Sequence, residues 1–296
     1  MRNQYDCLSG EWERAHVRVS ASAWVAIAAW AVATRVGAGD APQRIVSLAP
    51  SVTEIVYALG AGDRVVGACG QCDYPAAAAA LPRLGGYLTP SVEAIVAQSP
   101  DLALVVPSPG NREAVRAVER AGVRTLVVQD RTLADLWASI AAIAVAVDRV
   151  EEGRVLTATL RAKLDAIRTR SADRPRRRVL LVVGHRPLIV AGGGTLQDEL
   201  LTIAGGDNVA ANVGQAWPQL SLEAVIARAP EVILDAGMGS EAGGEQLFHD
   251  LRTVPAVRDR RIVRLQADEL FRAGPRVVEA AARLADVIAA PASPVQ

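Results

Sequence analysis

Two stretches of this chain, 130 residues apart, follow one pattern. PSVEAIVAQSPDLAL (Pro90 to Leu104) aligns without gaps on LSLEAVIARAPEVIL (Leu220 to Leu234). Ser91 pairs with Ser221, Glu93 with Glu223 and Pro100 with Pro230, and the hydrophobic positions pair throughout. Each stretch reads as a serine-capped helix, a proline-marked turn and a buried strand. At the same offset Tyr87 pairs with Trp217, each six residues before its glutamate. Self-similarity of this kind constrains architecture before any single residue does, and one long-range copy predicts two similar lobes rather than a solenoid.

The remaining pattern fits two α/β lobes. Arg44 to Leu48 reads as a strand, and Ser51-Val52-Thr53-Glu54 has the spacing of a capping box opening a helix that stops at Gly60. Val65-Val66 and Leu102 to Val106 read as strands, Asn111 to Ala121 as a helix ending at Gly122, and Val123 to Val128 as a strand. From Leu133 to Arg170 the pattern is helical, with a turn signal near Asp148. Alternation then resumes: strand Val179 to Val183, helix Thr195 to Ala204, strands Val232 to Leu234 and Ile262 to Leu265, and a last helix from about Pro275 to Ala289. The expectation is two similar Rossmann-like lobes, residues 43–147 and 176–290, with largely parallel sheets and a ligand cleft between them. A single long helix at 148–172 joins them and should keep hinge motion small.

A cleft between such lobes gives Tyr87 and Trp217 two readings. Lying in loops just before equivalent helices, they can close on one planar ligand from two sides, or each ring can simply pack on its own lobe. Symmetry alone does not choose. Glu93 and Glu223 also have two readings. A carboxylate in the first turn behind a serine cap suits the helix dipole. The dipole does not explain why both lobes place one in the same register, whereas arginines on a partner can grip such a pair.

The amino terminus reads as an export signal. Val19 to Thr34 carries no charge, Arg14 and Arg18 precede it, and Val36-Gly37-Ala38 supplies the small residues a signal peptidase reads. A signal peptide over 1–38 is expected; an uncleaved anchor or buried helix is the competing reading. Export permits disulfides. Cys69 and Cys72 form one CxxC, a weak zinc signal on its own, and a short-loop disulfide or two buried thiols is the favoured reading. With 32 basic and 32 acidic residues the net charge is zero, which argues against a nucleic-acid partner.

RIVSLAPSVTEIVYALG, VVGACGQCDYP, SVEAIVAQSPDLAL, AWPQLSLEAVIARAPEVIL and FRAGPRVVEAAARLA, in this order, resemble the helical-backbone class of periplasmic substrate-binding proteins of ABC transporters. Members bind cobalamin, haem or ferric siderophores. The resemblance covers about Gln43 to Ala289 and is strongest to cobalamin-binding members. It implies that Trp217, within Trp217-Pro218-Gln219, contacts a corrin, that Asp268 and Arg272 touch the ligand, and that Tyr74 in Asp73-Tyr74-Pro75 lines the pocket. Tyr87 stands where the cobalamin binder has Trp, close to where haem-binding relatives carry an iron-ligating Tyr. Val106 and Ile189 stand where aromatics line the cobalamin pocket, so this pocket is less aromatic and another corrinoid or chelate is open to it. The resemblance further implies that Glu93 and Glu223 form salt bridges with the permease.

Gly192-Gly193-Gly194-Thr195 lacks the lysine of a P-loop and reads as a tight turn into a capped helix. His185 follows a strand and is a candidate metal ligand if it faces the cleft; a satisfied or solvated histidine is the favoured reading. No nucleophile-elbow sequence is present. The expected protein is therefore a periplasmic, monomeric capture protein for a metal chelate, with no catalytic residue, cofactor or resident metal. Two rivals remain distinct in kind: a tetrapyrrole metal chelatase, which a cleft histidine among carboxylates would favour, and an adhesion module, which a cleft filled by side chains would favour.

Overall fold

The computed structural model describes residues 41–237, 244–266 and 270–291. The expected export signal over 1–38 and the ligand contact expected of Asp268 lie outside the described residues.

The apolar run after Arg44 forms β1 (Ile45–Ser47), which pairs in parallel with β2 (Val65–Ala68) on one side and β3 (Leu102–Val105) on the other. β3 pairs in parallel with β4 (Thr125–Val127), giving the order β2-β1-β3-β4. Parallel pairing demands crossovers. Here they are α1 (Pro50–Ala58), then α2 (Ala76–Ala79) with α3 (Val92–Ala97), then α4 (Arg112–Arg120).

The second sheet is built around β5 (Arg177–His185). It pairs in parallel with β8 (Val232–Asp235), which pairs with β9 (Ile262–Arg264), so β8 and β9 repeat β3 and β4. The other edge of β5 is shared: β7 (Gly206–Asn208) runs parallel along its first half and β6 (Leu188–Val190) antiparallel along its second. Neither β6 nor β7 is legible in the sequence. Only Arg186-Pro187 separate β5 from β6, and Gly-Asp-Asn is poor strand composition that ladder pairing overrides. The helices of this lobe are α7 (Leu196–Ile203), α8 (Leu222–Arg228), α9 (Gly244–Phe248), α10 (Pro255–Arg258) and α11 (Val277–Ala289).

Between the sheets run α5 (Leu133–Ala146) and the 23-residue α6 (Val150–Ala172), with Asp148 in the turn at φ 53. α6 buries Leu160, Leu164 and Ile167 in one continuous core that also holds Ile45 and Leu104 of the first sheet and Val179 and Leu234 of the second. The connecting helix is thus packed against both lobes over much of its length.

The capping box expected at Ser51 to Glu54 does not form. α1 starts at Pro50, with Ala49 in the capping position and no side-chain cap. Proline at the first helical position has no N–H to satisfy and a preset φ, and Glu54 is engaged elsewhere by arginines. The helix stop is as read: Gly60 takes φ +70. The repeat holds locally in detail. Ser91 caps α3 by accepting from the Ala94 amide at 3.2 Å, and Ser221 caps α8 by accepting from the Ala224 amide at 3.2 Å. Each helix is left through a left-handed residue before the paired proline, Ser99 at φ 45 and Ala229 at φ 42, because a residue preceding proline is pushed out of the helical region.

Candidate ligand-binding cleft

The wall of the N-terminal lobe is made by loops at the carboxyl ends of its strands, where open α/β sheets bind ligands. After β2, Cys69 and Cys72 form a disulfide, and both residues are buried. Arg83 closes the loop by donating from Nη1 to the carbonyls of Cys69 (3.0 Å) and Cys72 (2.9 Å). The loop presents Gln71, Asp73 and Tyr74. Gln71 Oε1 accepts from the Tyr87 amide at 3.0 Å, and Asn111 Nδ2 donates to the Tyr87 carbonyl at 3.4 Å, so the Tyr87 backbone is held from two sides. The Tyr87 ring packs against the core, and burial, with Asp130 adding, pushes its phenol well above the ordinary range. Asp130 follows β4. Burial first, then the nearby Asp135, pushes its carboxyl up to about 6, against a hydrogen bond from Ser51 and the charge of Arg131. Two large side chains here stay exposed, Tyr74 at 48% and Leu88 at 47%.

The wall of the C-terminal lobe centres on Trp217. Its segment is laid along β6 by three backbone hydrogen bonds: Gly192 N to Ala216 O (2.8 Å), Val190 N to Pro218 O (3.1 Å) and Leu220 N to Leu188 O (3.0 Å). Any Cβ at Gly192 would sit 2.0 Å from the Gln215 carbonyl oxygen, so this close approach needs glycine. The Gly-rich run is the turn expected, since Thr195 caps α7 by accepting from the Asp198 amide at 3.2 Å. The Trp217 ring lies 6.1 Å from that of Phe271, tilted by 45°. Both rings of the repeat are thus seated on their own lobes, and among the described residues no ring contact joins Tyr87 to Trp217.

Charge joins the two walls. Glu54 of α1, buried with its side chain 1% exposed, takes Arg276 across the cleft, with Nη2 to Oε1 at 2.6 Å and Nε to Oε2 at 3.1 Å. The Arg276 guanidinium also lies 4.3 Å from the Tyr74 ring centroid. Arg272 donates from Nη1 to Asp73 Oδ1 at 2.6 Å and from Nη2 to the Gln71 carbonyl at 3.3 Å, and lies 3.6 Å from Glu54. Its hydrogen bond holds the Asp73 carboxyl below the usual range. Deeper in, the Leu196 amide donates to the Arg131 carbonyl at 2.7 Å and the Leu133 amide to Glu199 Oε2 at 2.6 Å, tying α7 to the start of α5.

The structure thus joins Arg272, Asp73, Gln71 and the Tyr87 loop by hydrogen bonds, sets Tyr74 against the Arg276 guanidinium, and places Trp217 beside Phe271, the neighbour of Arg272. Val106 and Ile189 are buried in the core. His185 and Asp235, at the carboxyl ends of β5 and β8, form one hydrogen bond of 2.8 Å between Nε2 and Oδ1. Among the described residues no three His, Cys, Asp or Glu side chains group as a metal site. Glu93 and Glu223 stand exposed on α3 and α8, outside the cleft cluster. The Ser91 hydroxyl donates to Glu93 Oε2 at 3.2 Å, and the Ser221 hydroxyl with the residue's own amide holds Glu223 below the usual carboxylate range.

Sequence reasoning missed Glu54, Gln71, Asp73, Asp130 and Phe271. Glu54 had a signal: it is the one charge in the otherwise apolar-faced SVTEIVYALG, on the side that α1 buries. Asp130 had none, because what raises its carboxyl is first of all burial in the folded chain.

Two α/β lobes that meet at the carboxyl ends of their parallel sheets, with aromatic and charged side chains there and a helix packed against both, define a bilobal solute-binding scaffold. Residues 45–269 match the model of the periplasmic binding protein family, and the chain belongs to that family. It is 29% identical over 245 residues to a vitamin B12-binding protein of Vibrio parahaemolyticus, covering 82% of this chain and 88% of the relative. Among solved structures, a periplasmic heme-binding protein from Roseiflexus sp. RS-1 in apo form matches with a TM-score of 0.74 at 33% identity, covering 83% of this chain and 97% of that one. A periplasmic vitamin B12-binding protein of Vibrio cholerae matches with a TM-score of 0.71 at 28% identity, covering 83% and 96%.

Proposed function

We propose that this chain is the exported capture protein of an ABC importer for a metal-chelate nutrient, with cobalamin or another corrinoid as the ligand. The observation that carries the reading is the cleft mouth. Tyr74, exposed and covered on one face by Arg276 of the other lobe, belongs with the Tyr87 loop to one wall, and the Trp217–Phe271 pair belongs to the other, linked to the first through Arg272 beside Phe271. Flat aromatic faces gain contact area with a macrocycle at low entropic cost. Arg272 and the carboxylates around it supply hydrogen-bonding groups for a polar rim, with Asp268 as a further contact. Binding is the whole of the chemistry: the lobes hold the ligand and release it to a permease engaged by Glu93 and Glu223. A monomer working in the periplasm, delivered by the signal over 1–38, completes the proposal.

A second reading, haem, is favoured by the Roseiflexus likeness and by the two cleft arginines, which suit propionate carboxylates. Calorimetry of the mature chain with cyanocobalamin, haemin and a ferric siderophore separates them. The expected result is binding of cyanocobalamin tighter than about 10 μM, weakened at least about tenfold by Trp217→Ala. Preference for haemin moves the ligand class, and no binding by any chelate overturns the reading.

A further inference from the structure

Among the described residues, two of the large apolar side chains left in solvent are Val96, 40% exposed, and Ile226, 41% exposed. Their separation is the repeat offset of 130. Each lies three residues after the repeat's glutamate, so it sits one turn along on the same helix surface. Exposure matches position by position: in α3 Glu93, Val96 and Ala97 face out while Ile95 is buried, and in α8 Glu223, Ile226 and Ala227 face out while Val225 is buried. Packing against the sheets explains Ile95 and Val225. It does not explain why both lobes spend a solvent-facing position on a β-branched aliphatic, where a surface helix ordinarily carries a polar residue. The charge beside each is of one sign. α3 carries no base, and the only base of α8, Arg228, turns inward to donate to the Val209 carbonyl at 3.1 Å.

We propose that α3 and α8 form one bipartite docking face in which Val96 and Ile226 are apolar anchors beside Glu93 and Glu223. The partner is a two-fold-symmetric permease dimer that offers, twice, an arginine next to an apolar depression. This rests on the docking reading above and adds to it where the binding energy resides. Two matched patches fit two copies of one partner surface better than a single asymmetric one. A solvent-exposed ion pair alone contributes little. An aliphatic side chain packed beside it excludes water, adds buried apolar area and strengthens the charge pair in the drier contact.

The test measures affinity of the full mature chain for its cognate importer in lipid nanodiscs, by biolayer interferometry, for wild type, V96S/I226S, V96L/I226L and E93A/E223A. V96S/I226S is expected to weaken binding at least about tenfold, with cyanocobalamin affinity and Tm unchanged, and V96L/I226L is expected to retain it. Wild-type affinity in V96S/I226S together with loss in E93A/E223A overturns the anchor proposal and leaves glutamate docking standing. Wild-type affinity in both double variants overturns the docking reading itself.

Discussion

In the N-terminal lobe Ser91 caps α3, Glu93 follows in its first turn, and Ser99 breaks left-handed before Pro100; in the C-terminal lobe Ser221, Glu223, Ala229 and Pro230 do the same in α8. Away from these helices, where ion pairs join the two lobes, the lobes have diverged. One supplies Glu54 and Asp73 to these pairs, and the other supplies Arg272 and Arg276. α1 buries a charged Glu54, whereas α7, which follows β5 and its hairpin as α1 follows β1, buries a neutral Gln197 that donates to the Leu270 carbonyl at 2.7 Å. The difference has a physical basis at the facing edges: surfaces that meet each other must be complementary, because like charges there repel.

The largest test of that divergence is Glu54→Ala. It removes the buried carboxylate that Arg276 grips with two hydrogen bonds and that Arg272 approaches at 3.6 Å, and breaking such a pair from one side costs about 3–5 kcal/mol. Urea unfolding of wild type and variant checks this. A loss below about 1 kcal/mol would mean that the pair is solvated, as surface pairs are, and the lobes less complementary than described.

Asp130→Asn comes next and works in the opposite sense. The folded-state carboxyl is raised, so its contribution to stability is present below the ordinary aspartate range near 4 and is lost as pH rises through about 6. At pH 7.5 the wild type therefore holds a half-buried, ionised carboxylate. The variant is expected to be the more stable there by up to about 3 kcal/mol, with the advantage shrinking towards zero near pH 4. An advantage independent of pH would remove Asp130 from the list of strained acids in the N-terminal wall.

The smallest effect bears on the matched faces. Ser91→Ala and Ser221→Ala each remove one cap hydrogen bond of 3.2 Å, so each is expected to cost about 1 kcal/mol. Equal costs, read by unfolding of the two single variants, sharpen the claim that the repeat is energetic as well as geometric. A twofold difference or more would confine the likeness to shape.

The repeat helices were legible because everything that makes them is local: a serine cap, one buried aliphatic in mid-helix and a proline after the last turn. The capping box at Ser51 to Glu54 misled because the same local pattern was present while Pro50 and Arg276 had prior claims on the groups involved. β6 and β7 were invisible because their strand character comes from β5, not from their own residues. For the cleft, Tyr74, Tyr87, Trp217 and Arg272 were named from pattern and resemblance, but their partners were not. Gln71, which joins the Tyr87 amide to Arg272 through its side chain and its carbonyl, has nothing in its sequence neighbourhood to mark it.

By itself the sequence determined the two-lobe plan, the connecting helix, the register of the paired glutamates and the cysteine pair, since periodicity, caps and a fixed offset are written along the chain. Only the tertiary structure decided what those parts face. It set Glu54 against Arg276 across 222 residues, joined the cysteines into the loop that holds Tyr87, and left Val96 and Ile226 in solvent. Burial and charge pairing are sums over neighbours brought together by folding, and no stretch of chain contains them.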